Sequence, residues 1–82
     1  MKRNEKLENH LLESFETNPD PYQDGNEIEA AAAKFGTVSS SEAKHHLSLL
    51  IDQGFVTEEE GGMYRITAHG HAKLKLVHEL RI

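Results

Sequence analysis

Residues 40–48 carry five side chains that could donate and accept hydrogen bonds from one face of a helix. Apolar residues recur at helical spacing through residues 43–51, so the opposite face is expected to point into a core. The outward set comprises Ser40, Ser41, Lys44, His45 and Ser48. Such groups on one helix can reach base edges in the major groove of DNA. The spacing therefore predicts a face suited to nucleic-acid recognition.

Phosphate binding requires cations beside that face, and the sequence supplies few of them. The available Lys and Arg residues, apart from Lys44, are Lys34, Arg65 and the N-terminal Lys2, Arg3 and Lys6. Because phosphate contacts provide a large share of the affinity of DNA-binding proteins, a single copy is expected to bind DNA weakly.

Three consecutive carboxylates, Glu58, Glu59 and Glu60, precede a Gly-Gly pair. At the tip of a hairpin they would repel phosphate and weaken nonspecific DNA binding. They could instead dock on a basic protein, or simply keep a solvated hairpin edge unpaired. The sequence leaves these alternatives open.

Enzymatic and metal-binding chemistry is not expected. The chain has six histidines and no cysteine, so a thiolate metal site is excluded. His69 and His71 lie two residues apart at the start of a helix and should point in different directions. No nucleophile with a recognisable base is present, and Ser39 to Ser41 fit a capping role. We expect no catalytic residue, metal or cofactor.

The length and charge predict one small acidic domain. Eighty-two residues can build a single modest core. The net charge is −5, and residues 1–60 hold 13 of the 14 acids. The charged N-terminus lacks a signal-like apolar run, and no stretch is long enough to span a bilayer. We therefore expect a soluble, cytoplasmic protein without a membrane partner.

Helical spacing predicts four helices. Leu7, Leu11 and Phe15 give the first helix one apolar face, with Asn4 as N-cap. Both prolines lie in residues 18–25, which are expected to form a loop. The second helix spans about residues 26–35. After a short turn at residues 36–38, the capping box of Ser39 and Glu42 begins the third helix.

The second half of the chain predicts a hairpin and a last helix. Gly54 ends the third helix, and residues 55–56 and 63–67 read as strands around the turn at residues 60–62. Thr67 caps the fourth helix, where Gly70 predicts close contact with a neighbouring element and His71 is expected to pack internally.

The segment 44–74 resembles an uncharacterised family of small phage and bacterial winged-helix proteins. The resemblance rests on the histidine and Leu-Leu pair of residues 46–50, the Gly-Phe-Val of residues 54–56 and the Ile-Thr-x2-Gly-His of residues 66–71. Together with the predicted helices and hairpin, it indicates a mainly α fold with a small β-hairpin, a winged helix-turn-helix of order α-α-α-β-β-α. The length of the chain makes this a single domain over residues 1–82. The resemblance implies no activity.

The leading functional hypothesis is a DNA-binding transcriptional regulator of phage or bacterial type, with double-stranded DNA as partner. The recognition set is the five residues of the third helix, with Lys34 and Arg65 as phosphate contacts. The alternative is a protein-interaction module that docks its acidic hairpin, Glu58 to Glu60, on a basic partner. A basic stripe across the third helix would favour DNA, and an acidic one a protein.

The last helix also raises the question of a homodimer. Leu76 and Leu80 form a second apolar stripe beside Leu74 and Val77. Either this stripe packs against a second copy of the chain, or the first helix covers both stripes.

Overall fold

A computed structural model describes residues 2–80. The chain is mainly helical, with a small three-stranded antiparallel sheet. The elements, in order, are α1 (Glu5–Thr17), β1 (Tyr22–Asp24), α2 (Gly25–Phe35), α3 (Ser40–Asp52), β2 (Val56–Glu59), a 3-10 turn (Glu60–Gly62), β3 (Met63–Ile66) and α4 (Ala68–Leu80). Among the described residues, no helix is both long and apolar enough to cross a membrane.

Side-chain caps fix the starts of the helices. The Asn4 side chain accepts the Leu7 backbone N–H, as predicted. The predicted capping box of Ser39 and Glu42 is present at α3. A second capping box, formed by Asp24 and Glu27, begins α2. Each cap satisfies backbone donors that a helix start leaves free.

The sheet has the order β1-β3-β2. The predicted hairpin of β2 and β3 is confirmed, with Val56 opposite Ile66 and Glu59 opposite Met63. The prediction of a loop throughout residues 18–25 is wrong for residues 22–24, which pair with β3 as a third strand. Three residues are too few to show an alternating pattern, and their partner strand lies some 40 residues further along the chain.

All four helices and both hairpin strands contribute to one hydrophobic core. Its buried members are Leu7, Leu11, Leu12, Phe15, Ile28, Ala31, Ala32, Ala43, Leu47, Leu50, Val56, Ile66 and Leu74. Val38, in the turn before α3, packs against this cluster. Ala31 and Ala32 of α2 belong to this cluster, and the Ala31 carbonyl lies 2.8 Å from His10 Nε2 of α1.

The junction between α3 and β2 supports the hairpin. Gly54 has φ of 79°, a left-handed conformation that glycine adopts readily. The Phe55 backbone N–H then donates to the Leu50 carbonyl, and the Phe55 ring stacks on His69. Gly70 faces the Phe55 carbonyl and the Ile66 side chain so closely that a Cβ would collide with both. The prediction that Gly70 makes close contact with a neighbouring element is confirmed.

Two histidines join α4 to α1. His71 Nδ1 lies 2.8 Å from Glu16, and His78 Nε2 lies 3.4 Å from Glu13. The expectation that His71 packs internally is wrong, because its side chain is half exposed and pairs with a carboxylate. That carboxylate is 55 residues away in the sequence, so local spacing could not reveal it.

Candidate binding face on α3 and the hairpin

The outer face of α3 has three predicted residues that are free to contact a partner. Ser41, Lys44 and Ser48 are exposed. Within residues 2–80, none of these three side chains forms a hydrogen bond or ion pair with another protein group. They lie opposite the buried residues Ala43, Leu47 and Leu50. The predicted division of α3 into an inner and an outer face is therefore present.

The other two predicted residues of α3 are occupied within the protein. Ser40 is exposed, but its hydroxyl donates to the Glu29 carboxylate on α2. His45 is half-buried, and its ring lies edge-on to the His46 ring at 5.4 Å. Both residues are therefore less free to contact a partner than the sequence suggested.

His46 ties the N-terminal arm to α3. It is 1% exposed. Its Nε2 accepts the Asn4 backbone N–H at 3.0 Å, so the ring proton belongs on Nδ1, which donates to the Glu42 carbonyl at 2.7 Å. Among residues 2–80, no group of three or more potential ligand side chains could hold a metal ion.

The cations expected to accompany α3 lie elsewhere. Lys34 lines the groove between α1 and α2, together with His10 and Glu13. Arg65 pairs with Glu59 at 3.1 Å, on the face of the sheet away from α3. The expectation that Lys34 and Arg65 would support the α3 face is therefore not met. Because side chains alternate along a strand, Arg65 points away from the side of the sheet on which Tyr64 faces α3. Lys34 lies beside α1 because α2 packs on α1.

The N-terminal arm supplies exposed cations near the start of α3. Lys2 and Lys6 border a surface depression together with Glu42 and His46. Arg3 is engaged with Glu8 at 2.7 Å. The hydrogen bond and negative charge of Glu8 raise the pKa of the Arg3 guanidinium above its ordinary value. Arg3 is therefore a structural cation at the α1–α3 contact.

The three hairpin carboxylates do not form one surface. Glu58 lies directly opposite Tyr64 on the side of the sheet that faces α3. Glu59 points to the other side, where it pairs with Arg65. Glu60 begins the 3-10 turn and is exposed. Only Glu58 of the three borders the α3 face.

A cleft of about 400 Å³ separates α2, α3 and the hairpin. Its apolar lining consists of Ile28, Ala43, Leu47, Ile51 and Tyr64. Its polar lining consists of Asn26, Glu29, Lys44, Ser48 and Glu58. Sequence reasoning missed this cleft. The pairing of Glu58 with Tyr64 follows from the hairpin register, but no local signal brings Glu29 to the same place.

Comparison of the chain with protein-family models, curated proteins and solved structures found no match.

Leucines on the outer side of α4 form a second exposed surface. Leu76 is 59% exposed and Leu80 is 85% exposed, whereas Leu74 is buried. The expectation that α1 might cover both stripes is therefore wrong for the Leu76 and Leu80 stripe. α1 contacts the side of α4 that carries Leu74, His71 and His78.

Proposed function

We propose that the fold is a winged helix-turn-helix, with α2 and α3 as the helix pair and the β2–β3 hairpin as the wing. The four-residue turn between α2 and α3, and the position of the hairpin directly after α3, support this assignment. β1 adds a third strand to the wing sheet. An experimental structure in which α2 and α3 fail to pack as a pair would contradict it.

We propose that the protein is a protein-binding module and that the cleft between α2, α3 and the wing is its docking surface. The charge around the cleft carries this proposal: Glu29 and Glu58 border it, and Lys44 is the one Lys or Arg in its lining. Such a surface is complementary to a basic segment of a protein and repels phosphate. This excess of acids over bases beside the wing supports a protein partner over DNA.

Partner capture from nuclease-treated lysate of the source cells tests this function. Two variants alter the docking surface: Glu58→Gln removes its charge, and Ser48→Arg fills the cleft. Two controls make the same chemical changes outside the cleft lining, Glu60→Gln on the wing and Ser41→Arg on α3. We expect a partner that the wild type and both controls capture and that both surface variants lose. Equal capture by all five proteins would contradict the proposal.

DNA binding through α3 is the second candidate function. The exposed and unpaired Ser41, Lys44 and Ser48 favour it, with Ser40 and His45 beside them. If it holds, Ser48→Arg strengthens binding to a mixed-sequence duplex, because the new guanidinium adds a phosphate contact. Lys44→Ala weakens binding and lowers the salt slope by about 1. Ser48→Arg therefore acts in opposite directions on DNA and on a basic protein partner, which separates the two functions.

We also propose that two copies of the chain associate through α4. The exposure of Leu76 and Leu80 supports this, as does the position of Lys75 and Glu79 beside them. In an antiparallel pair of α4 helices, Lys75 of each copy would face Glu79 of the other. Such a contact is self-complementary, as a two-fold interface requires.

A further inference from the structure

All but one of the polar side chains around the cleft are available for binding; the exception, Glu29, accepts a hydrogen bond from Ser40. The side chains of Asn26, Lys44, Ser48, Glu58 and Tyr64 line it. Among the residues that the structure describes, none of these side chains has a hydrogen-bond or ion-pair partner. A surface on which the polar groups are free can bind a ligand without first breaking bonds within the protein.

The base of the cleft is apolar. Ile51 and Tyr64 pack against the core but remain half-buried, so part of each side chain faces the cleft. Ile28 and Leu47, both nearly fully buried, complete this surface from below. A volume of about 400 Å³ lies within the range of protein ligand pockets. The cleft is large enough for a bulky apolar side chain, which would gain free energy by leaving water.

The charged residues of the cleft determine which kind of residue can lie next to the bound apolar side chain. Glu58 stands beside Tyr64 on the wing, and Glu29 lies across the cleft on α2. The Glu29 carboxylate accepts one hydrogen bond from Ser40 and keeps further acceptor sites. Lys44, on α3, is the single cation of the lining. A Lys or Arg next to the apolar side chain would therefore find Glu58 unpaired within the protein.

We propose that the cleft binds a segment of a partner protein that carries a bulky apolar residue with Lys or Arg beside it. The apolar side chain packs on Ile51 and Tyr64, and the basic side chain pairs with Glu58. This inference rests on the proposed protein-binding function and specifies the partner segment. DNA fits the cleft less well, because the apolar base offers nothing to phosphate and Glu58 repels it.

Selection from a random dodecapeptide display library tests the inference. Peptides are selected on the wild type alone, and the enriched peptides are then tested on Ser48→Arg, which places a large side chain at the cleft. We expect the enriched peptides to share an aromatic, Leu or Met residue with a neighbouring Lys or Arg. A synthetic peptide from this set should bind the wild type and Ser41→Arg equally. It should bind Ser48→Arg about tenfold more weakly or worse, and it should shift the backbone amide resonances of Ile51, Glu58 and Tyr64.

The Glu58→Gln and Glu60→Gln pair tests the charge separately. Affinity for the peptide should fall several-fold with Glu58→Gln and stay unchanged with Glu60→Gln. Replacing the apolar residue of the peptide by Ala should abolish binding. The four substituted side chains are exposed, so all variants should fold like the wild type. Circular dichroism checks this.

Different failures have different meanings. Enriched peptides that lose affinity with Ser48→Arg but lack either the apolar or the basic residue would overturn this inference and leave the docking surface intact. Peptides that bind Ser48→Arg as well as the wild type would overturn both proposals. A selection that enriches no peptide would overturn the inference alone, because lysate capture tests the broader function independently.

Discussion

His46 connects the N-terminal arm to α3 through both nitrogen atoms of its ring. A phenyl ring is similar in shape but can neither accept the Asn4 N–H nor donate to the Glu42 carbonyl. His46→Phe should therefore lower the free energy of unfolding by about 1–2 kcal/mol, mainly because a partly buried donor loses its acceptor. Chemical denaturation followed by circular dichroism measures this.

The neighbouring histidine is the matched control. His45 is half-buried and, among residues 2–80, forms a ring contact with His46 but no hydrogen bond or ion pair through its side chain. His45→Phe should change the free energy of unfolding by less than about 0.5 kcal/mol, as surface substitutions usually do. Equal effects of the two substitutions would mean that the hydrogen bonds of His46 do not contribute to stability.

Gly70 shows a conflict between helix propensity and packing. Alanine is favoured over glycine within a helix by about 1 kcal/mol, yet a Cβ at this position would collide with the Phe55 carbonyl and Ile66. Overpacking costs about 1–3 kcal/mol, so Gly70→Ala should be destabilising overall. Gly25→Ala, in the first turn of α2, meets no atom within 4 Å and should be neutral or slightly stabilising. Thermal denaturation of both variants gives the comparison.

Residues with local roles could be predicted from the sequence, and residues with distant partners could not. The capping residues Asn4 and Ser39 act on backbone groups three residues away. Gly54 ends the helix that precedes it. By contrast, the partners of Ser40 and His71 lie on other helices. Their positions depend on how the elements pack.

β1 pairs with β3 and is joined to α1 by a side-chain hydrogen bond. Gln23 is buried and donates to the Ser14 hydroxyl on α1 at 3.0 Å. Gln23→Ala should destabilise the protein by about 1–2 kcal/mol and speed hydrogen exchange of the β1 amides. Tyr22→Ala, on the exposed side of the same strand, should have a smaller effect.

A double-mutant cycle isolates the contact between β1 and α1. If the hydrogen bond matters, Ser14→Ala and Gln23→Ala should together cost less than the sum of the two single changes, with a coupling of about 1 kcal/mol. Additive effects would show that the hydrogen bond between Gln23 and Ser14 does not contribute to the stability of β1. Denaturation of the four proteins under one set of conditions supplies the cycle.

The elements differ in how far the sequence predicts them. The four helices and the hairpin carry their own periodicity and their own start and stop residues. β1 carries neither, and its strand character comes from pairing with β3. The cleft is harder still to predict, because it forms only when α2, α3 and the hairpin pack together. Sequence reasoning therefore reached the α3 face and missed the cleft beside it.

The charges of the whole molecule are also redistributed by folding. Residues 1–60 hold nearly all the acids, yet these do not form a single surface. Glu8 is buried against Arg3 and Gln53. Glu13 and Glu16 face the histidines of α4. Glu29 and Glu58 are left beside the cleft. Charge counts along the chain therefore identified an acidic protein but not where its acidic surface lies.

Association through α4 is expected to be weak. A stable interface buries about 800 Å² on each partner, and two leucines with their neighbours on one helix provide much less. A self-complementary contact of this size should form only at high protein concentration. Sedimentation velocity over a concentration series should show that the wild type is a monomer at low concentration and begins to dimerise at the highest concentrations.

Two substitutions on α4 test this contact. Leu76→Glu places a carboxylate in the centre of the apolar stripe, where burial without a partner is costly, so this variant should stay monomeric throughout the series. Ala68→Glu introduces the same charge on an exposed residue two turns earlier in α4 and should associate like the wild type. A monomeric wild type at the highest concentration would refute the α4 contact. Equal loss of association in both variants would mean that negative charge on α4, and not the leucine stripe, governs self-association.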